Sequence, residues 1–353
     1  MIHAAAADPE RRLSPVVRLA PAKLNLTLAV LGRRADGFHD LHSVMVPLAL
    51  ADRLTLAIAP GGRDSLHVEG RDAGPIADNL VLQAIAAARV AVRRVSGPDA
   101  GPPLAVRLEK RIPVAAGLGG GSSDAAAALE GALEAWGEHL PAAERLTIAA
   151  GLGSDVPFFL ADRPALVEGR GERVSPLRTL RGEPPAVLLI TPAIALSTPA
   201  VFAAYAAGAR PAVPGSARAT SQHLAAELDG GLRGAALLDR AAILAAANDL
   251  QPAAAAVAPG LVAFRRALFR RLGQPVGQTG SGPTLWVLYA ALDEAEAAAD
   301  SVLAGLADGS VPRLGSDDAA VIATTIARPG LRPDPTAAGS GATPVQPAQG
   351  GEG

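Results

Sequence analysis

Apolar positions recur along the chain with two periods, and the switches between them outline the architecture. Near the amino end, residues 24–31 and 41–50 are apolar stretches either side of a segment holding Asp36-Gly37. Asp-Gly tolerates positive φ, so the pattern predicts two strands joined by a turn. Leu54, Leu56 and Ile58 alternate with Thr55 and Ala57, a strand period. Residues 79–94 read as a helix and 105–108 as a short strand. A glycine-dense turn follows, then an alanine-rich helix over about 123–136 and another over 141–150 with proline in its first turn. In the second half a strand is predicted at 187–190. Ser197-Thr198-Pro199 has the capping hydroxyl and early proline of a helix start. Helices are predicted over 236–247, 258–272 and 291–306, and strands over 284–289 and 319–326.

Three hundred and fifty-three residues are too many for one ordinary core and suit two domains. Residues 169–186 turn rich in Gly, Arg and Pro, which places the boundary there: a first domain over 15–172 and a second over 173–328. Residues 329–353 carry almost no large apolar side chain. They are expected to be disordered, because burial could not offset their ordering entropy. No internal repeat is found beyond alanine bias. The mixed order of strands and helices predicts an α+β fold.

Composition removes several function classes. A formal net charge of −2, with arginine pairs scattered, argues against nucleic acid as partner. The absence of cysteine excludes disulfides, thiolate catalysis and cysteine-ligated zinc, and the six histidines lack metal-ligand spacing. No signal peptide or membrane span is read from the apolar runs, so a cytoplasmic setting without a membrane partner is expected.

The sharpest chemical signal is Val114-Ala115-Ala116-Gly117-Leu118-Gly119-Gly120-Gly121-Ser122-Ser123-Asp124, preceded by Pro113 and followed by the alanine-rich helix. Four glycines in five positions let backbone approach an anion closely. The helix behind them aims free N–H groups and its positive dipole end at the loop. The combination predicts a phosphate cradle. Ser122 and Ser123 add hydroxyls, and Ser123 is the candidate Mg²⁺ ligand. No Gly-Lys-Ser/Thr follows, so this is not a Walker A loop, and Ser122 stands where a dinucleotide fingerprint needs its third glycine. A second glycine segment, Gly277-Gln-Thr-Gly-Ser-Gly-Pro283, reads alone as an ordinary tight turn.

Lys23 heads an apolar strand and either reaches back to water from the strand end or calls for a partner or a ligand phosphate. Asp155 precedes Val-Pro-Phe-Phe and is either a cap or a reactive carboxylate. Phosphoryl transfer wants such a pair: a carboxylate to take or orient the attacking hydroxyl's proton, and a lysine to steady negative charge.

Together these segments resemble the galactokinase, homoserine, mevalonate and phosphomevalonate (GHMP) kinase superfamily. The matching stretches are Ala20-Pro-Ala-Lys-Leu-Asn-Leu26, Arg34-Ala-Asp-Gly-Phe-His39, Pro113 to Ala127, Gly153-Ser-Asp-Val-Pro-Phe-Phe159, Asn248-Asp-Leu250 and Thr279-Gly-Ser-Gly-Pro-Thr284, spanning roughly residues 16–327. The resemblance implies a ribosomal S5 domain 2-like amino half, a ferredoxin-like carboxyl half and a site between them. It implies ATP with Mg²⁺ and, from the 34–39 and 153–159 segments, the acceptor 4-diphosphocytidyl-2-C-methyl-D-erythritol of the non-mevalonate isoprenoid route, phosphorylated on its 2-hydroxyl. Lys23 and Asp155 would then be catalytic, residues 114–124 would hold the triphosphate, and Asn25, Phe38, His39 and Thr198 would hold the acceptor. A monomer or homodimer is expected. Phe38 stands where the family commonly has Tyr, keeping a stacking face without the phenol. Gln278-Thr279 replaces a more usual apolar-Ser pair, and the carboxyl tail has no family counterpart. The rival readings are a GHMP kinase for another small alcohol, which would not need a base-stacking segment at 34–39, and a non-catalytic nucleotide binder, which would not need both Lys23 and Asp155. A purely structural module would need none of the ordered loops.

Overall fold

The structure, a computed structural model, describes residues 14–72, 74–315 and 317–330. The tail expected to be disordered lies outside them from residue 331 on.

A seven-stranded sheet is built on one long strand. It comprises β1 (Val16–Asn25), β2 (Ala29–Arg33), β3 (His39–Ile58), β4 (Ser65–Gly70), β5 (Leu104–Lys110), β6 (Ala165–Gly169) and β7 (Arg173–Pro176). The order is β4-β5-β3-β6-β7, with β1 and β2 also paired to β3, and only β4 and β5 are parallel. The 20-residue β3 joins what the pattern predicts as two strands. Asp52 and Arg53 interrupt the apolar pattern but not the ladder, where they pair with Ala20 and Leu19. Conversely, the strand predicted over 24–31 is divided. Between β1 and β2 the backbone turns to other partners, Leu26 N donating to Val44 O and Leu28 N to Ala247 O.

Helices α1 (Leu80–Ser96), α2 (Gly120–Trp136), α3 (Ala142–Leu152) and α4 (Val156–Phe159) pack on this sheet. Asn79 caps α1 through a bond from Val81 N. Alanines let α2 lie close to β1 and β3. At Gly131 a Cβ would sit 2.7 Å from Leu56 Cδ1, closer than packed atoms allow. Leu54, Leu56, Ile85, Leu108 and Leu129 are fully buried in this core.

The second sheet has four strands in the order β11-β8-β10-β9: β8 (Ala186–Thr191), β9 (Gly277–Gln278), β10 (Leu285–Tyr289) and β11 (Ala320–Thr325). Seven helices accompany it: α5 (Thr198–Ala206), α6 (Ser216–Asp229), α7 (Gly234–Leu238), α8 (Ala241–Ala246), α9 (Gln251–Val257), α10 (Gly260–Leu272) and α11 (Leu292–Ala307). The single helix predicted over 236–247 is two, α7 and α8. Arg240, at the break, reaches back to pair with Glu227 of α6. Strands β4, β6, β7 and β9 and helices α4, α6 and α9 are additions to what the pattern predicts.

All six residues of β8 are buried, and alternation sorts them between two cores. Val187 and Leu189 join Ala22, Leu24, Val44 and Val46 of the first sheet, while Leu188 and Ile190 face Phe264 and Leu268 of α10. The two sheets thus share apolar contacts. Thr324 also accepts a bond from Leu50 N at 2.9 Å, and Pro47 O one from Ala327 N at 2.8 Å.

Leu56→Ala should destabilise the chain by about 2–5 kcal/mol, the cost of a core cavity. The check is chemical denaturation, which should show a lower midpoint at unchanged slope.

Candidate active site

Alternation along β1 turns Ala22 and Leu24 into the shared core and Lys23 and Asn25 to the opposite side. Lys23 is buried, and its Nζ donates to Asn25 Oδ1 at 2.5 Å. Asn25 is itself fixed: its Nδ2 donates to Ser43 Oγ at 2.8 Å, and its N donates to Thr279 Oγ1 at 3.0 Å. Asp155 Oδ2 lies 3.7 Å from Lys23 Nζ. Asp155 precedes α4 but makes no side-chain capping bond, so the capping alternative is not realised, and a third of its side chain stays exposed. Residues 132 positions apart in sequence thereby meet as the pair the chemistry wants.

The glycine loop passes over this lysine. Lys23 N donates to Leu118 O at 2.9 Å. Gly117 and Gly119 have φ of 75° and 70°, a left-handed conformation that glycine adopts without strain. At Gly119 a Cβ would lie 2.9 Å from Phe159 Cζ and 3.0 Å from Lys23 Cγ. Helix α2 begins at Gly120, earlier than predicted, so Gly120, Gly121 and Ser122 supply first-turn N–H groups that no helical carbonyl can use. Gly121 is exposed, with nothing within 4 Å of where a Cβ would be.

The second glycine segment, read alone as a plain turn, belongs to the same assembly. A Cβ at Gly117 would meet Thr279 O and Gly282 O, each at 3.0 Å. Asn248 Nδ2 holds this turn by donating to Gln278 O and Gly280 O, both at 2.9 Å. Thr198 Oγ1, in the first turn of α5, is 2.9 Å from Ser281 Oγ. One turn further along α5, Phe202 stacks on His39 with centroids 4.9 Å apart and planes at 23°, and Tyr205 meets the same ring edge-on. Burial, then nearby Arg33, lowers the His39 pKa, so at neutral pH the imidazole offers one donor and one acceptor. Phe38 is half exposed with the Arg170 guanidinium 5.3 Å from its ring centre. The structure brings His39, but not Phe38, onto the aromatic side chains of α5. Phe202 and Tyr205 were missed by sequence reasoning, although helical spacing from Thr198 could have flagged Phe202.

Behind the loop lies a second charged group, in which Asp124 of the predicted loop turns its side chain inward to Lys110 and Asp52, two residues that sequence reasoning missed. Lys110 Nζ donates to Asp52 Oδ2 at 2.5 Å and Asp124 Oδ2 at 2.7 Å, all three being buried. Asp52 Oδ1 accepts from the backbone N–H groups of Arg111 and Ile112. Burial would lower the Lys110 pKa, but Asp124 and Asp52 outweigh it and raise it. Burial pushes the Asp124 carboxyl up to about 7; Lys110 opposes the rise and Asp52 adds to it.

Whether Mg²⁺ fits can be asked of the donor set. Among the described residues no group of three or more His, Cys, Asp or Glu is placed to hold a metal. Ser123 Oγ, however, is buried at the loop and has no hydrogen-bond partner. One orphan hydroxyl beside the free first-turn N–H groups of α2 fits an ion that takes most of its ligands from nucleotide and water.

Fold and site together define a GHMP kinase, and comparison with known proteins agrees. Residues 79–163 match the family described as GHMP kinases N terminal domain. A 4-diphosphocytidyl-2-C-methyl-D-erythritol kinase of Rhizobium meliloti (strain 1021) is 38% identical over 296 residues, 81% of this chain and 90% of the relative. One of Parvibaculum lavamentivorans is 44% identical over 292 residues, 81% of this chain and 92% of the relative. A crystal structure of 4-(cytidine 5'-diphospho)-2C-methyl-D-erythritol kinase, 31% identical, superposes with a TM-score of 0.62 over 88% of this chain and 99% of that one. An L. major mevalonate kinase, at 15% identity, a TM-score of 0.62 and coverage of 90% and 98%, shares the fold. The chain belongs to the 4-diphosphocytidyl-2-C-methyl-D-erythritol kinase family.

The buried cluster generates a prediction. A carboxyl raised in the folded state keeps its proton between about pH 4 and about 7 while the unfolded chain has lost it, so its contribution to stability falls as pH rises through that window. Asp124→Asn removes the titration and keeps an acceptor for Lys110. The melting temperature of the parent relative to Asp124→Asn should therefore fall between about pH 5 and pH 8. A constant difference across that range would mean Asp124 ionises as an ordinary carboxylate.

Proposed function

We propose that this chain transfers the γ-phosphate of ATP to the 2-hydroxyl of 4-diphosphocytidyl-2-C-methyl-D-erythritol, in the non-mevalonate route to isoprenoid precursors. The observation that carries the reading is the convergence of Lys23 and Asp155, 3.7 Å apart, beneath a glycine loop that opens a helix. The family supplies the acceptor's identity.

In this reading the first-turn N–H groups of α2 and the backbone of residues 114–124 receive the triphosphate. Mg²⁺, when bound, neutralises charge on the β- and γ-phosphates, and Ser123 would hold it. Asp155 takes or orients the proton of the attacking hydroxyl, its exposed third leaving it open to an acceptor. Lys23 offsets negative charge gathering on the transferred group. Asn25, expected to hold the acceptor, is buried with its amide engaged by Lys23, Ser43 and Thr279, and acts by fixing Lys23 through their 2.5 Å bond. Thr198 joins the second glycine turn to α5, whose Phe202 stacks on His39, so a single helix runs from the reacting end to an aromatic cluster. The His39 edge in that cluster suits the hydrogen bonds of a pyrimidine base, and the half-exposed Phe38 offers a stacking face. An elongated acceptor with a base at one end and an alcohol at the other fits this layout; homoserine or mevalonate would leave the aromatic end without a partner. The small molecule is the partner in this reading, and a cytoplasmic setting supplies the ATP. Among the described residues no helix is long and apolar enough to cross a membrane.

Purified protein should turn over ATP with 4-diphosphocytidyl-2-C-methyl-D-erythritol and not with homoserine or mevalonate; turnover with either control would reassign the acceptor. Asp155→Asn should bind ATP normally and lose about 10²–10⁴-fold in kcat. Undiminished turnover would remove Asp155 from the mechanism. Gly119→Val would disturb Lys23 and Phe159 directly, so Gly121→Val is the cleaner probe of where the nucleotide sits. It should raise the KM for ATP on the order of tenfold at unchanged melting temperature. Normal ATP affinity there would place the phosphates elsewhere.

A further inference from the structure

Helices α8, α9 and α10 enclose a cavity of about 670 Å³, with Gln278 of β9 and Leu285 of β10 at its floor. The volume is that of a small-molecule pocket. One wall is apolar and open: Val262 and Phe269 of α10 are 40% and 55% exposed, far more than core side chains. The charged side chains of the lining are all cationic. Arg265, Arg266 and Arg270 line the cavity, and no carboxylate does.

Arg265 is the informative member. It is part-buried, yet its guanidinium donates only to neutral acceptors: Val276 O at 2.7 Å, Gln251 Oε1 at 2.5 Å and Ala245 O at 3.1 Å. These use three of the five N–H donors of a guanidinium. Burial lowers its pKa, and no neighbouring carboxylate acts against that. A partly desolvated cation without a counter-ion is costly unless an anion joins it. Arg266 and Arg270, four residues apart on the same helix face, add two more guanidinium groups that meet no carboxylate among the described residues. Planar guanidinium forks suit phosphate oxygens.

We infer that this cavity is a binding site for a small phosphate-bearing amphiphile, its head group held by Arg265, Arg266 and Arg270 and its hydrocarbon body laid along Val262 and Phe269. The site is separate from the glycine loop but adjoins the second glycine turn. Gln278 floors the cavity, and the next residue, Thr279, bonds Asn25.

Octyl phosphate is a suitable probe, titrated calorimetrically into the full chain. One molecule should bind per chain, and saturating ADP should not displace it. Inorganic phosphate, lacking the body, and octanol, lacking the charge, should each bind about tenfold more weakly or worse. The double variant Arg266→Gln/Arg270→Gln, at two exposed positions, should weaken octyl phosphate by about tenfold or more while melting temperature and the KM for ATP stay unchanged. Displacement by ADP, equal affinity in the double variant, uptake of many molecules per chain, or no saturable binding would each overturn the proposal.

Discussion

A lysine ammonium taken out of water costs several kcal/mol unless its donors are answered, and Lys23 is almost fully buried. Much of the site follows from that requirement. Asn25 answers one donor, and it can do so only because Ser43 and Thr279 orient its amide. Thr279 reaches Asn25 only because Asn248 holds the turn on either side of it. Asn248 is placed by a backbone seam, in which Leu28 N donates to Ala247 O and Asp249 N to Leu28 O. A cation on the first sheet is thus secured by a turn of the second, and the core shared by the two sheets keeps them in register.

Close approach is the companion constraint. Loop and turn press together where Gly117 faces two carbonyls, and the loop presses on Lys23 where Gly119 faces its aliphatic stem. Neither position could carry a side chain, and both need left-handed φ. Glycine is therefore used in two ways in one loop: to bring protein against protein at 117 and 119, and to leave open space at 121.

Local chemistry was legible in the sequence; long-range closure was not. The glycine loop, Lys23 and Asp155 could be picked out because each departs from its surroundings over a few residues. The helices α1, α10 and α11 and the buried strands β8 and β10 follow from the apolar pattern. Strand β3 reads as two strands because Asp52-Arg53 interrupts its apolar run; only the fold shows Lys110, 58 positions away, answering the buried Asp52. The second glycine segment looked like an ordinary turn because its meaning lies in contacts with residues some 160 and 250 positions earlier. The local sequence gives Phe202 and Tyr205 no partner; only the fold sets His39 against them. The family resemblance supplied the acceptor, which no spacing in this chain could have named.

Two buried lysines flank the glycine loop, and electrostatics decides which of them can serve a phosphate. Lys110 is held at 2.5 Å and 2.7 Å by two carboxylates, so its charge is neutralised where it stands. An arriving phosphate would have to compete with both at short range. Lys23 has a neutral amide at 2.5 Å and a single carboxylate at 3.7 Å, too far for a hydrogen bond. Its field is only partly cancelled, and the carboxylate that cancels it is the one that remains open to solvent. The same residue type thus does opposite work on the two sides of one loop: Lys110 ties α2 to β3 and β5, whereas Lys23 keeps a positive potential beside the loop, which is what the proposed phosphoryl transfer asks of it.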